Sequence, residues 1–451
     1  MIDSNRFRAL GCALLVGALS ATVCSAQSCL VPSSTYPTIQ SAVDDIACAV
    51  VDVQAGTYVE NITVTRATPL RLSGAGLGQT QIDGSAAAQA TLSAQMTGVG
   101  SSLIVTDLPI GNGVGTTRAG GVDVIGEDSA GPLVLRRVRL TRNEGPAALQ
   151  ARRMGVALIE DSLFDRNVGS VISTSFGGDG TDYIIRRSTF EENTAPPGEG
   201  GITLQIGADL ELTDSQLINN AHCGGVGATT GTFERLLVQG NAGTDCLVQC
   251  AAQLDVGVIR NATIADNLAA GLCTVGPRLI VENTTISGNR SNGVVQAGGF
   301  DQSFPVGPFT IFRNVTLVNN TAASGVGGIR VHMGSLVLAG SIVAGNAGVQ
   351  CLDFPDGPGV ITSFDYNLDS DGTCFLTAPN DLPSIVDPRI GALQDNGGGL
   401  PTHALLEDSP AVDAAASDVG LTCASTDQRG TARPQGLACD IGAFELEQPQ
   451  R

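Results

Sequence analysis

The chain contains no tryptophan, and its 451 residues include only three His and four Tyr. All 24 of its basic residues are arginine, so lysine is missing as well. Forty-four acidic residues outnumber them, for a net charge of −20. No basic patch of the nucleic-acid type is present, which argues against DNA or RNA as a partner. Aromatic residues make up 4%, a thin supply of rings for stacking on sugars. No stretch beyond residue 50 sustains the 3.6-residue period of a long helix, and none past the first 26 residues is apolar enough to span a membrane. Charge is sparse too, at 15%, against 42% hydrophobic residues. That balance supplies one long core.

What is present is a repeat. An asparagine returns nine times, at Asn143, Asn167, Asn193, Asn220, Asn241, Asn267, Asn289, Asn320 and Asn346, in steps of 21 to 31 residues. A fixed period in this range marks a solenoid. Three positions before each Asn stands an apolar residue, from Leu140 and Phe164 through to Val343. Eight positions before stands another, from Leu135 and Ile159 through to Leu338. Six positions before stands a polar or small one: Arg137, Asp161, Arg187, Asp214, Arg235, Asn261, Asn283, Asn314, Gly340. Two short strands split by a polar corner, with a third to close the turn, describe a right-handed parallel β-helix of about 25 residues per coil, an all-β fold. Coils stack at the ordinary strand spacing of about 4.8 Å, so the Asn column predicts a ladder of side-chain amides at a corner. The chain is expected to act as a monomer.

Residues 1–26 read as an export signal: Arg6 and Arg8, an apolar run from Cys12 to Leu19, then small residues before cleavage. Ten cysteines remain beyond it. Several lie 23 residues apart, near one coil, which suits disulfides in an oxidising compartment. Among Cys223, Cys246, Cys250 and Cys273 two pairings stay open. The expected location is secreted or at the cell surface.

Residues 27–100 hold a cap and the first coils. Within them, the order of Tyr36-Pro37-Thr38-Ile39-Gln40, Val51-Asp52-Val53-Gln54-Ala55-Gly56-Thr57-Tyr58, Leu70-Arg71-Leu72-Ser73-Gly74 and Thr80-Gln81-Ile82-Asp83-Gly84 resembles the start of pectin-lyase-like β-helix proteins. The first piece is read as a short amphipathic helix over the open end of the core. Residues 101–350 carry the repeats. Residues 351–447 contain Asp395-Asn396-Gly397-Gly398, Pro401-Thr402-His403-Ala404-Leu405, Thr426-Asp427-Gln428-Arg429-Gly430, Arg433-Pro434 and Cys439-Asp440-Ile441-Gly442-Ala443-Phe444-Glu445. This segment resembles the bacterial choice-of-anchor Q family of secreted β-helix proteins. That resemblance implies export and a β-helix, and it carries no catalytic residues with it.

Catalytic residues are therefore unassigned. Pectin-degrading relatives use Asp clusters with calcium and an Arg base, or paired Asp with Gly-His-Gly and Arg-x-Lys; the last motif is impossible without lysine. His222, His332 and His403 stand outside any Gly-His-Gly. Asp161 and Asp214 share a corner column with Arg187 between them, which reads as exposed alternating charge. Two loops resemble calcium sites. Asp179 and Asp182 lie in a single nonapeptide-like stretch, and Asn367, Asp369 and Asp371 mimic the first half of an EF-hand loop whose twelfth position is Ala378. Calcium is thus the one cofactor the sequence suggests. The expected function is non-catalytic binding or display toward a polysaccharide or cell-surface component. The alternative is a carbohydrate-active enzyme, either a calcium-assisted lyase or a hydrolase of uronic-acid polymers.

Overall fold

The computed structural model describes residues 27–174, 181–194, 204–221, 224–242, 250–292, 296–302, 308–353 and 359–448. They form a parallel β-helix of about twelve turns. Strands stack in register on three faces. On face I the inward column runs Leu72, Val105, Leu135, Ile159, Ile185, Leu212, Phe233, Ile259, Val281, Phe312, Leu338. On face II it runs Ile82, Ile110, Leu140, Phe164, Phe190, Leu217, Val238, Ile264, Ile286, Leu317, Val343. These are the two apolar columns read from the sequence, and nearly all of their members are fully buried. Face III follows each Asn; its column passes through Leu92, Val122, Leu149, Ile172, Leu204, Val226, Ala252, Leu272, Phe300 and Ile329.

The corners explain the residue types. The residue six before each Asn has positive φ, from Arg137 at 50° to Gly340 at 58°, and so does the residue just before each Asn. Asn, Asp and Gly tolerate this left-handed region best. Between faces II and III the Asn ladder forms. Asn167 Oδ1 accepts from both the backbone N–H and the Nδ2 of Asn143, while Asn167 Nδ2 donates to Leu140 O and to Asn193 Oδ1. The same pattern repeats to Asn346, where Gln350 Oε1 terminates it. A second ladder, not anticipated from the sequence, lies between faces I and II. There Ser162, Ser188 and Ser215 each accept from the backbone N–H one coil earlier.

Both ends are closed. The helix α1 (Ile39–Asp44) buries Ile39, Ala42 and Val43, with a Thr38/Ser41 capping box. Glu60 accepts its first two N–H groups, and buried Arg66 donates to Val43 O and Asp45 O at its other end. Gln40 acts as a strand partner for Thr63, giving and taking one bond each way. Disulfides Cys29–Cys48 and Cys351–Cys374 lie at the two ends, and Cys250–Cys273 and Cys423–Cys439 are also formed. Cys223 and Cys246 lie outside the described residues, as do residues 1–26.

Beyond the last coil the chain folds back along face II. Gln428 bridges Thr285 and Thr263. His403 Nε2 meets Ser287 Oγ at 2.8 Å, and Ala443 N–H donates to Thr316 Oγ1. At the face I–II corner, Asn283 donates to Thr426 O and Asn314 both accepts from Ala424 N–H and donates to Thr422 O. A Cβ on Gly340 would come within 2.5 Å of Thr422 O, so the chain approaches there only because that corner is glycine. The ordered motifs at the end of the sequence are therefore the residues of a docked cover.

Candidate functional site

The Asn ladder starts late, and a site lies where it has not begun. At the coil before Asn143, Gly113 N–H takes the place of an asparagine and donates to Asn143 Oδ1. Gly115 and Gly120 still bond to Glu144 and Ala147 one coil on, and the four residues between them leave the stack before face III resumes at Val122. The loop is glycine-rich because it folds tightly on itself: a Cβ on Gly113 would stand 1.9 Å from Gly120 O.

This loop walls a hollow over the first strands of face III. One part, of about 210 Å³, is lined by Thr63, Thr65, Ser93, Gln95, Arg118 and Asp123 among others. An adjoining part, of about 250 Å³, shares Ser93, Arg118 and Asp123 and extends under Thr116 and Thr117. Thr63, Ser93 and Asp123 are stacked partners on consecutive strands, so they form one outward column. Each part is smaller than the roughly 300–1,000 Å³ of an enclosed small-molecule pocket. The shape suits a chain lying across the face.

Among the described residues Asp123 is the one carboxylate lining the hollow, and it is only 8% exposed. Its Oδ1 accepts from Arg152 Nη2 at 2.9 Å, and its Oδ2 lies 3.6 Å from Arg118 Nη1. Arg152 sits one coil further on, beside Ile125 in register. Asp123 therefore orients two guanidinium groups, and Arg118, whose side chain is 54% exposed, presents donors to solvent. Hydroxyls from Thr63, Thr65 and Ser93 and the Gln95 amide supply neutral hydrogen-bonding groups around them.

The residues singled out in the sequence lie elsewhere. Asp369 is buried at the far end of the face II column, stacked on Val343. Its carboxylate accepts the N–H groups of Gly372, Cys374 and Ser384. Asp371 accepts from Thr373 and Gln350 N–H, and Asn367 continues the serine ladder by accepting from Ser341 N–H. These oxygens cap the end of the solenoid. Asp182 opens a face I strand, and burial together with the nearby Asp209 raises its pKa; Asp179 lies outside the described residues. Among the described residues no group of three or more His, Cys, Asp or Glu is placed to hold a metal ion. Asp161 and Asp214 pair with Arg187 and Arg235 in the corner column. His403 is buried between Ser287 and Gly391 O, and burial lowers its pKa. None of these reaches the hollow, whose signal in the sequence was the glycine cluster at 111–121, in a coil where Gly113 stands in place of asparagine.

No family profile and no curated protein matches the sequence. Solved structures do. The catalytic domain of a GH87 alpha-1,3-glucanase in complex with tetrasaccharides matches with a TM-score of 0.50 at 14% identity, over 78% of this chain and 71% of that one. The A-module of the Azotobacter vinelandii mannuronan C-5 epimerase AlgE4 scores 0.37 at 17% identity, over 72% and 94%. The periplasmic alginate epimerase AlgG scores 0.38 at 10% identity, over 74% and 82%. At such identities the first match shows a shared fold, the parallel β-helix, and the other two scores are too low to add to it. Among the described residues no helix is long and apolar enough to cross a membrane.

Proposed function

We propose that this chain is an exported β-helix protein that binds a polysaccharide across face III at the 112–121 loop, without cleaving it. The observation that carries this reading is the hollow itself: an open, hydroxyl-lined strip of sheet with Arg118 held over it by Asp123. Glycoside hydrolysis takes two carboxyl groups about 5–10 Å apart, and among the described residues Asp123 is the single one lining the hollow. The fold shared with a glucanase solved with tetrasaccharides supports a saccharide as the ligand class. The disulfides support an extracytoplasmic location. The motifs within residues 351–446 support kinship with the choice-of-anchor Q proteins and hence a place at the cell surface.

A second reading, a calcium-assisted lyase or hydrolase of uronic-acid polymers, has one observation in its favour: an arginine beside a carboxylate in a groove. One experiment separates the two. The oxidised protein is incubated with uronic-acid and neutral polysaccharides, with and without calcium, and both retention on the polymer and product masses are recorded. Retention that Arg118→Ala weakens at least tenfold, with no shortened chains, is the expected result. Shortened or unsaturated oligomers would establish the enzyme instead, and no retention on any polymer would remove the saccharide reading.

A further inference from the structure

The three faces differ on the outside. Face III presents polar side chains, and the later part of face II is covered by the chain's own end. Among the described residues nothing covers face I beyond the contact of Arg313 with Gly420 O at its edge, yet the central outward column along it is largely apolar. From rung to rung it reads Val134, Leu158, Ile184, Glu211, Thr232, Val258, Ile280, Ile311, Val337. All nine are partly exposed. Single exposed aliphatics are ordinary, but a continuous stripe marks an interaction surface.

The stripe is arranged about its middle. Four apolar rungs precede Glu211 and Thr232, because Ile104 stacks ahead of Val134, and four follow. We propose that face I joins two copies of this chain, packed face to face and antiparallel, with the two-fold axis running along the rung of Thr232. Such an interface is isologous, so each contact occurs twice. In this register Ile184 meets Ile280 of the second copy, Leu158 meets Ile311, and Val134 meets Val337.

The flanking columns decide the register, because a two-fold parallel to the strands brings each column against itself. On one side Asp182 meets Arg278 and Val156 meets Phe309. On the other Arg186 meets Glu282 and Glu160 meets Arg313. All three ionic contacts are of opposite sign. Moving the axis one half-rung, to between Glu211 and Thr232, sets Arg136 on Arg313 and Glu160 on Glu282, so the charge pattern selects one docking. The preferred register has two costs: Glu211, which Arg186 of the same copy neutralises, faces Val258, and Glu234 faces itself at the axis, where Arg235 of the same copy neutralises it.

Size is adequate. Eight steps of about 4.8 Å by five strand residues of about 3.3 Å give a flat footprint of roughly 600 Å². Side-chain relief brings this toward the roughly 800 Å² per partner of a stable interface. The proposal replaces the monomer expected from sequence and is independent of the polysaccharide reading.

Asp182 and Arg278 make no ion pair with another described residue, so exchanging them disturbs little within one copy. The test is sedimentation equilibrium of the full oxidised chain from 1 to about 100 µM. The wild type is expected to form a dimer. Leu158→Arg should be monomeric with an unchanged circular dichroism spectrum. Asp182→Arg and Arg278→Asp should each weaken dimerisation at least tenfold, and the double exchange should restore it. A wild type that stays monomeric overturns the proposal. A dimer indifferent to Leu158→Arg does so too, as does a double exchange no better than the single ones. If the face instead serves another macromolecule, the first of these outcomes is what would appear.

Discussion

Face II is two surfaces on one scaffold. In the earlier coils its outer side and the adjoining corner carry Arg139, Asp165, Glu191 and Gln216, with the corner column alternating Asp107, Arg137, Asp161, Arg187, Asp214, Arg235. In the later coils the same positions become Thr263, Thr285, Thr316, Ala265, Ser287 and Val318, and the corner becomes Asn261, Asn283, Asn314, Gly340. The inward columns hardly change across this boundary. What changes is only what the outside must meet. Open rungs meet water and neutralise one another; covered rungs meet backbone, and they do so with small, neutral, hydrogen-bonding side chains, because a buried charge without a partner is costly.

The largest test of that contrast is inside the cover. Arg433 is fully buried, donates to Asp440 O and Gly442 O, and pairs with Glu445 at 3.1 Å. Removing one partner of a buried pair strands the other, so Arg433→Ala should cost about 3–5 kcal/mol. The loss should appear as protease sensitivity confined to the cover, with the open coils still resistant. Sensitivity spread evenly along the chain would mean that the two regions unfold as one.

Acidity should act on the two regions in opposite directions. Burial and the neighbouring Glu445 push Asp440 up to about 7, and Glu445 is raised as well, chiefly by its own burial. A raised carboxylate binds more protons folded than unfolded. The stability it contributes is complete below about pH 4 and is lost as pH rises through 7. In the corner column, hydrogen bonds from Arg137, Arg187 and Arg235 hold Asp107, Asp161 and Asp214 below the usual carboxylate range. Their contribution is present at neutral pH and fades as pH falls through those lowered values. The cover should therefore be tighter at pH 5 than at pH 8 by hydrogen exchange, and Asp440→Asn should flatten the difference. A cover that tightens with rising pH would contradict this.

The fold was legible because its rules are columnar. One buried Asn per coil, an apolar residue three before it and another eight before it are repeated nine times, so each coil confirms the last. The serine ladder was missed because Leu236 and Ala262 interrupt it, and the docking of the segment from Pro401 to Ala443 because contacts such as that between Gln428 and Thr263 span 165 residues and follow no period. The hollow was missed for a related reason: it exists where the repeat fails, at a coil with Gly113 in place of Asn. A reading built on recurrence finds what recurs, whereas a site is an exception.

Shared parts should not distinguish the regions. Asn167→Ala in the open coils and Asn289→Ala in the covered ones each leave a backbone N–H and a carbonyl in the buried corner without their partner. About 1–3 kcal/mol per stranded group applies to both. Equal losses in thermal unfolding would show that the ladder is indifferent to the cover. A much larger loss at Asn289 would show the cover leaning on it.

The smallest effects should come from the corner column, where one position is tested in two settings. Asp161 and Arg187 form a two-pronged pair at 2.7 and 3.0 Å, but both side chains are more than a third exposed. Water competes for each group, and the long arginine gives up rotamer freedom to stay in place, so Asp161→Asn, which keeps a residue suited to the left-handed backbone, should cost less than about 1 kcal/mol and less again in high salt. Asn314 occupies the same column and the same left-handed backbone, with a shorter, uncharged side chain. It is fully buried and holds Ala424 N–H and Thr422 O, so Asn314→Ala should cost about 2 kcal/mol, insensitive to salt. The ion pair looks the stronger interaction on paper and should prove the weaker one, because burial rather than charge sets what a lost partner costs.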